Sequence, residues 1–338
     1  MRLRSILSTL VALLLLGSIS AQDAHYTQFY SAPMLLNPAL TGAYEGTFRV
    51  GGIYRDQWAA VAPDQFITPT IYVDAPAFRG FGKRDWVGIG ASFLFDQAGA
   101  LGLTTTNIMG SVAYHAPLGA SNNTTLSVGF QAGYVGRSLN PEDALTADQI
   151  INGTPSVDPA NFMENTNFFD MNAGIGVNHV VNQNVNFNVG FSVFHLTSPD
   201  NSLLDPNVSD DPTLDQRYTA HAKANIGLTD TWVISPAFLY QSQAGADETD
   251  LQLLGGYHLN AEKDITLRFG PGYRFGDAMQ AIIGLDYKGL RVGAAYDINT
   301  SDLSAASNNR GGFEIGASYI FRIYNPPVVK TVIFCPRF

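Results

Sequence analysis

Apolar and polar side chains alternate along residues 184–196, which read NVNFNVGFSVFHL. One face of this stretch carries Val185, Phe187, Val189, Phe191 and Val193. The opposite face is mostly amide, hydroxyl or glycine, and a repeat of two residues is the signature of a β-strand. In a soluble sandwich the apolar face would form the core, whereas in a membrane barrel it would meet lipid and the polar face would line the interior. One strand cannot decide between these folds.

The same pattern recurs along the chain and predicts fourteen strands, at 44–58, 65–76, 85–97, 102–118, 123–138, 166–180, 184–197, 216–228, 231–243, 250–259, 264–275, 278–287, 290–299 and 312–322. Most of these segments run for roughly 10–15 residues, whereas strands of soluble proteins average about 5–6. A strand that crosses a bilayer at a tilt needs about 9–11 residues. The strand lengths therefore favour a membrane barrel.

The connections between the predicted strands differ in length at the two ends of the sheet. Taken alternately, one set averages about 11 residues and the other about 4, which is the asymmetry of bacterial barrels with long extracellular loops and short periplasmic turns. A soluble sandwich has no reason to sort its loops in this way. The sequence therefore predicts an all-β fold, a transmembrane outer-membrane β-barrel of about 14 antiparallel strands. The face of Val185, Phe187, Val189 and Phe191 then meets lipid.

Aromatic residues and glycines add detail to this barrel. Trp58 and Trp232 fall at strand ends, where aromatic girdles sit at the level of the lipid headgroups. The parity of Trp86 turns it inward, in a role that the sequence does not indicate. The GIG motifs at 88–90 and 174–176 are interpreted as strand glycines at crowded points of the lumen.

The first residues of the chain have the form of an export signal. Arg2 and Arg4 precede an apolar core at 10–16, and small residues follow up to Ala21. This pattern predicts a signal peptide that is cleaved after Ala21. The net charge of −10 disfavours nucleic acid as a partner, because nucleic-acid binding needs a basic surface. Apolar runs long enough for a transmembrane helix are absent from the sequence.

A search of the sequence for catalytic chemistry finds no phosphate loop, zincin motif or nucleophile elbow. His195 lies near Ser192 and Ser198, which would suit a hydrolase, but the sequence names no carboxylate partner and a girdle histidine is the simpler interpretation. Cys335 is the only cysteine. We therefore expect no enzyme activity, no catalytic residue, no cofactor and no metal site.

Two predicted loops are strongly acidic. Loops 139–165 and 198–215 together hold ten acidic residues and neither Lys nor Arg. Carboxylate oxygens are ligands for Ca²⁺, but the spacing is not that of an EF-hand. A solvated acidic surface explains the same composition, and the sequence leaves both interpretations open.

Four stretches near the ends of the chain share a family resemblance. They are QFY (28–30), NPALTG (37–42), YRDQW (54–58) and VKTVIFCPRF (329–338). They resemble the PorP/SprF family of type IX secretion membrane proteins. The resemblance implies a β-barrel in the cell outer membrane that serves protein secretion and gliding motility. It also implies partners, which are other type IX secretion components, such as the periplasmic ring, or a secreted surface adhesin.

Turn-forming pairs at Asn37-Pro38 and Thr41-Gly42 indicate that the chain enters the barrel through an ordered lead-in without strands. This lead-in either tucks into the barrel mouth or lies under it. The resulting division is a signal peptide at 1–21, a periplasmic lead-in or plug at 22–43, the barrel at 44–322 and a periplasmic tail at 323–338. The tail is a partner-binding strand, a lumen-lining segment or the closing strand of the barrel.

The partner-binding candidates are the family-specific residues Asn37, Pro38, Arg55, Trp58, Cys335, Pro336, Arg337 and Phe338. We expect the lead-in and the tail to form one composite patch on the periplasmic side. Arg55 has the parity of the lumen face, where its guanidinium can pair with interior acids; alternatively, Arg55 and Trp58 only hold the first hairpin. A diffusion porin or hydrophobic-ligand channel is the alternative function, because fold does not determine function. Outer-membrane lipid is the surrounding medium in either case.

Overall fold

The computed structural model describes residues 23–58, 66–80, 84–99, 102–119, 123–139, 165–203, 213–260, 265–302 and 304–323. Within these residues fourteen antiparallel strands form one closed barrel, in which β14 pairs with β1. The strands are β1 (Phe48–Gln57), β2 (Phe66–Arg79), β3 (Trp86–Ala98), β4 (Leu103–Leu118), β5 (Thr124–Ser138), β6 (Asn165–Asn182), β7 (Val185–Phe194), β8 (Arg217–Gly227), β9 (Trp232–Gln243), β10 (Ala246–Asn260), β11 (Ile265–Arg274), β12 (Ala278–Tyr287), β13 (Leu290–Asn299) and β14 (Arg310–Phe321). The predicted fold class is confirmed.

The two faces of the barrel wall are chemically opposite. On β7 the side chains of Val189 and Phe191 are 39% and 43% exposed, whereas Ser192 is fully buried. The same outward exposure holds for Ile71 on β2 and Phe130 on β5. A large apolar surface of this kind is stable when lipid covers it. The outward orientation predicted for the apolar side of β7 is therefore confirmed.

The barrel has two unlike ends. One end carries the longest connections, residues 139–164 between β5 and β6 and residues 195–216 between β7 and β8. We call it the long-loop end. At the opposite end residues 183–184 join β6 to β7 and residues 288–289 join β12 to β13. We call this the short-turn end, and β1 begins and β14 ends there.

One predicted loop is wrong in length. The sequence pattern predicts a loop at 244–249, but β10 begins directly after the two-residue turn of Ala244 and Gly245, whose φ angles are 52° and 77°. Two successive residues with positive φ form the turn that best matches the twist of a hairpin. Lys288 and Gly289 form the same kind of turn, with φ angles of 47° and 89°. The acidic and polar composition of the wrongly assigned segment concealed the strand.

Residues 23–43 lie inside the barrel, and we call them the plug. The plug contains a 3₁₀ turn at Phe29–Ser31, a short helix α1 at Pro33–Leu36 and a second 3₁₀ turn at Pro38–Leu40. A proline at the first position of a helical turn has φ already suited to the helix and lacks the N–H that would be unpaired there. Met34 and Ala39 are fully buried. The plug therefore folds as a chain of short turns packed against the inner wall.

The plug runs the full height of the lumen. Its first described residue, Asp23, donates its backbone N–H to Gln243 at the long-loop end of β9, over 3.1 Å. Gly42 donates its backbone N–H to Asp74 of β2 toward the short-turn end, over 2.7 Å. The chain therefore passes down through the barrel before it enters β1 from the short-turn end.

Several predictions fall outside the described residues. They concern the signal peptide at 1–21, most of the two acidic loops, and the tail from residue 324 onward, with Cys335, Pro336, Arg337 and Phe338. The tail is not the closing strand, because β14 already closes the barrel onto β1.

Among the described residues no helix is long and apolar enough to span a membrane. A second short helix, α2, covers Ser304–Ser307 at the long-loop end.

Candidate functional site

A cluster of charged side chains lies inside the barrel near its long-loop end. Arg55 pairs with Asp297 over 2.9 Å and with Glu314 over 3.3 Å, and Arg274 pairs with Asp297 over 3.1 Å. Every one of these side chains is at most 3% exposed. Charges removed from water to this degree are tolerated only when they are paired and hydrogen-bonded. We call these four residues the ionic cluster.

The ionic cluster holds the plug through its backbone. The N–H groups of Thr27 and Gln28 both donate to the carboxylate of Glu314, over 2.8 Å and 2.6 Å. The hydroxyl of Thr27 donates to Asp297 over 2.7 Å and accepts from Arg55 over 2.9 Å. Hydrogen bonds to charged groups contribute about 1.5–3 kcal/mol each. The first third of the plug is therefore fixed to β1, β13 and β14.

A second anchor holds the middle of the plug. The Asn37 carboxamide donates to the carbonyl of Ile175 over 2.9 Å and to the ring of His221 over 3.2 Å. Gly174 and Gly190 face Asn37, and a Cβ at either position would overlap its side chain. These glycines allow the plug to approach the wall, as the sequence analysis expected for the GIG motif at 174–176.

A third anchor lies toward the short-turn end. Trp86 donates its indole N–H to the carbonyl of Gly42 over 3.0 Å. His115 is fully buried, donates to the carbonyl of Thr41 over 2.8 Å and stacks on Trp86 with ring centroids 4.7 Å apart. A Cβ at Gly88 would overlap Thr41. This arrangement explains the inward-facing Trp86, whose role the sequence left open.

The N-terminal end of the plug is held by His195, just beyond β7. His195 pairs with Asp23 over 2.6 Å and with Asp170 over 2.7 Å, and Arg217 pairs with Asp23 over 3.3 Å. Burial by itself lowers the pKa of His195, but the carboxylates of Asp23 and Asp170 outweigh burial and raise it to about 9. The histidine is therefore positively charged at neutral pH.

This position corrects the sequence-based interpretation of His195 as a girdle histidine. Its side chain is 8% exposed and points into the lumen rather than toward the membrane interface. Ser192 donates its hydroxyl to the carbonyl of Leu36 over 2.8 Å instead of to His195. His195 and Ser192 therefore both bind the plug.

A cavity of about 110 Å³ lies between the plug and the wall at the long-loop end. Its lining combines apolar side chains, such as Leu35, Met109 and Phe168, with the charged Asp23 and Arg137. The cavity can hold a small molecule that has both polar and apolar surface.

Of the eight partner-binding candidates, the structure brings three into the plug and its anchors. Asn37 and Pro38 are buried, and Arg55 is 2% exposed within the ionic cluster. The contribution of Asn37 and Pro38 to the expected composite patch is therefore wrong, because both residues pack against the inner wall. Arg337 and Phe338, the other half of that patch, lie outside the described residues. Trp58 is half-buried at the long-loop end, edge-on to Phe66 with ring centroids 4.8 Å apart.

Sequence reasoning missed the residues that receive the plug. Asp297, Glu314, Arg274 and Asp74 were not among the candidates. Each of them is a charged residue on the inward face of a strand. This inward charge was the signal that could have identified them. The family-specific stretches indicated only one side of each contact.

Comparison with known proteins agrees with these observations. The family model described as type IX secretion system membrane protein PorP/SprF matches residues 18–319. The chain belongs to this PorP/SprF family. The match covers the plug and nearly all of the barrel. A search of curated proteins gives no match.

Solved structures of similar shape include a hydrocarbon channel and a toluene transporter. The CymD monoaromatic hydrocarbon channel is 12% identical, with 87% of this chain and 94% of that chain covered and a TM-score of 0.50. The toluene transporter TbuX of Ralstonia pickettii is 12% identical, with 90% and 96% covered and a TM-score of 0.48. A FadL homologue of Pseudomonas aeruginosa is also 12% identical, with 85% and 93% covered and a TM-score of 0.47. At this identity the likeness concerns the fold.

Proposed function

We propose that this PorP/SprF protein is a closed barrel that serves type IX secretion and gliding motility by binding a protein partner. The partner is a secreted surface adhesin or another secretion component, such as the periplasmic ring. The observation that carries this proposal is the plug, which runs through the lumen and is anchored at the ionic cluster, Asn37, Trp86 and His195. A barrel filled by its own chain is suited to scaffolding rather than to diffusion.

The proposal includes an orientation in the outer membrane. Bacterial barrels place short turns in the periplasm and long loops outside. In this orientation β1 begins in the periplasm and the chain leaves β14 there. The proposal also includes residues 1–21 as the signal peptide that directs export. The ring component would meet the short-turn end, and an adhesin on the cell surface would meet the long-loop end.

We further propose that the tail at 323–338, with Cys335, Pro336, Arg337 and Phe338, provides the periplasmic partner contact. The support is the family resemblance of residues 329–338 together with the end of β14 at Phe321, which delivers the tail to the short-turn end. Asn37, Pro38 and Arg55 have a different role in this proposal, which is to hold the plug.

The test replaces residues 327–338 by a glycine–serine linker of equal length and measures both barrel folding and surface display of secreted proteins in cells. We expect the barrel to insert and to remain heat-modifiable on a gel, while display is lost. A matched control replaces Lys288, which is exposed at the same end, by Gln and leaves display unchanged. Normal display with the linker would contradict the tail's role.

A hydrophobic-ligand channel is the second candidate, and the cavity beside Phe168 and Leu35 favours it. An apolar cavity of about 150 Å³ is large enough for benzene, but this cavity also contains Asp23 and Arg137. A channel would require the plug to leave at least one anchor. Toluene binding that saturates and is lost in Phe168→Ala would support this candidate.

A further inference from the structure

The short-turn side of the plug borders a second cavity, of about 160 Å³, which we call the vestibule. Its polar wall consists of Asn178, Asn186, Asn188, His221, Lys223 and Asn225. These side chains come from β6, β7 and β8, and the asparagines on β7 belong to the alternating stretch at 184–196. Except for His221, which pairs with Asn37, none of them forms a hydrogen bond with the described residues of the plug. Asn178 is exposed, so water reaches the vestibule.

Lys223 supplies the amine of the vestibule, and it lies over the ring of Tyr30, with Nζ 3.7 Å from the ring centroid. Among the described residues no carboxylate lies within ion-pair distance of this ammonium group. The nearby Asp286 is already held by Arg268 over 2.7 Å and by Arg291 over 2.9 Å. A cation–π contact of this kind is weaker than a desolvated ion pair. Among the described residues Lys223 therefore has no acidic partner, and an anionic ligand would supply one.

The asparagines supply hydrogen-bonding groups around this charge. Asn225 donates to Asn186 over 3.0 Å and accepts from Ser235 over 2.8 Å, which fixes both carboxamides. The carboxamides of Asn178 and Asn188 form no hydrogen bond with another described residue. Each carboxamide offers two donor hydrogens and one acceptor oxygen. A ligand with its own donors and acceptors next to an anionic group would satisfy them.

We propose that the vestibule binds a carboxylate group, with Lys223 as its counter-charge and Asn188 and Asn178 as its hydrogen-bond partners. Among the described charges near Lys223, Arg268 and Arg291 outnumber Asp286, so this part of the lumen favours an anion. A single ammonium group matches the single charge of a carboxylate, whereas a doubly charged phosphate would call for further cations or an Arg fork. This inference goes beyond the proposed role in secretion and does not depend on it.

A carboxylate group could come from two sources. One is the carboxyl terminus of an extended peptide, whose N–H and C=O groups would meet the carboxamides. The other is a free small organic acid. Isothermal titration calorimetry on the full chain in detergent separates them with three probes, N-acetyl-triglycine, its carboxy-terminal amide, and propionate. Both acids are expected to bind, and the amide to bind at least about tenfold more weakly, since it lacks the charge-assisted hydrogen bond. Tenfold tighter binding of the peptide than of propionate assigns the peptide source, and equal affinities assign the small acid.

Variants locate the site. Lys223→Met is expected to weaken binding of N-acetyl-triglycine by about ten- to a hundredfold, and Lys223→Arg to restore most of it. Lys288→Met, at the exposed β12–β13 turn of the same end, is the matched control and leaves binding unchanged. Equal binding of the peptide and its amide, no binding of either acid, or wild-type affinity in folded Lys223→Met would overturn the proposal. The comparison of peptide with amide uses the wild-type chain, so it holds even if a variant fails to fold.

Discussion

The long-loop half and the short-turn half of the lumen come from the same strands but use their charges differently. Around Arg55 each charged group pairs with another or with the plug backbone, and the side chains are almost fully buried. Around Lys223 an ammonium group and free carboxamides border a cavity that water reaches. The difference shows that the polar lining of one barrel can serve two purposes, which are to hold an internal segment and to remain available for a ligand.

The physical basis of this difference is desolvation. A buried charge is stable only with a complete set of partners, so its removal leaves other charges unpaired. A charge that water still reaches is screened, and its pairs contribute little. Substitutions in the two halves should therefore differ strongly in cost, even when they remove the same kind of side chain.

The largest effect is expected for Arg55→Met. It leaves Asp297 and Glu314 without one of their buried partners, and we expect the free energy of unfolding to fall by about 3–5 kcal/mol. Arg268→Met removes an arginine from the short-turn half, where Asp286 keeps Arg291 as a partner, and should cost less than about 1 kcal/mol. Urea unfolding in detergent measures both. Equal losses would remove the distinction between the halves.

A second pair of substitutions compares the outer face with the vestibule. Val189→Arg places a charge against lipid near the middle of β7 and should cost roughly 2–4 kcal/mol. Asn188→Arg places the same charge in the vestibule and should cost much less, because water reaches it. The readout is again unfolding by urea. Similar costs at these neighbouring positions would mean either that the vestibule is dry or that β7 does not face lipid.

A smaller effect separates two glycines of one strand. Gly174→Ala brings a methyl group into the carboxamide of Asn37 and should destabilise the plugged state by about 1–3 kcal/mol. Gly176→Ala meets its nearest atoms at 3.5 Å and 3.9 Å, which is ordinary contact, and should be nearly neutral. A spin label at Ala24 in a Cys335→Ser background reports plug mobility. Unequal stability with an unchanged plug signal would contradict this explanation of the motif.

The smallest effect concerns pH. The pKa of His195 is raised from 6.5 to about 9 in the folded chain, so its contribution is complete below about pH 6.5 and is lost as the pH rises through about 9. Because the other anchors remain, we expect only the label at Ala24 to gain mobility above pH 9. His195→Gln should make that label mobile at all pH values. A mobility change that survives in His195→Gln would assign the pH dependence to another group.

Much of the barrel was predictable because its physics is local. The period of two along β7 and the short turn at Lys288-Gly289 both follow from neighbouring residues. The start of β10 was not predicted, because a polar edge such as residues 246–249 resembles a loop. The inner partners of the plug were not predicted, because Thr27 and Glu314 are joined only by closure of the barrel. The family resemblance singled out Asn37 and Arg55 but did not say that they act inside the lumen.

Single-channel recording of the purified wild-type chain in planar bilayers tests most directly whether the plug closes the barrel. We predict no steady open state for the wild type, and bursts of conductance for Arg55→Met, in which the ionic cluster no longer holds Thr27 and Gln28. Arg268→Met, the matched arginine outside the cluster, should remain closed. A large and steady open pore in the wild-type chain would contradict the account.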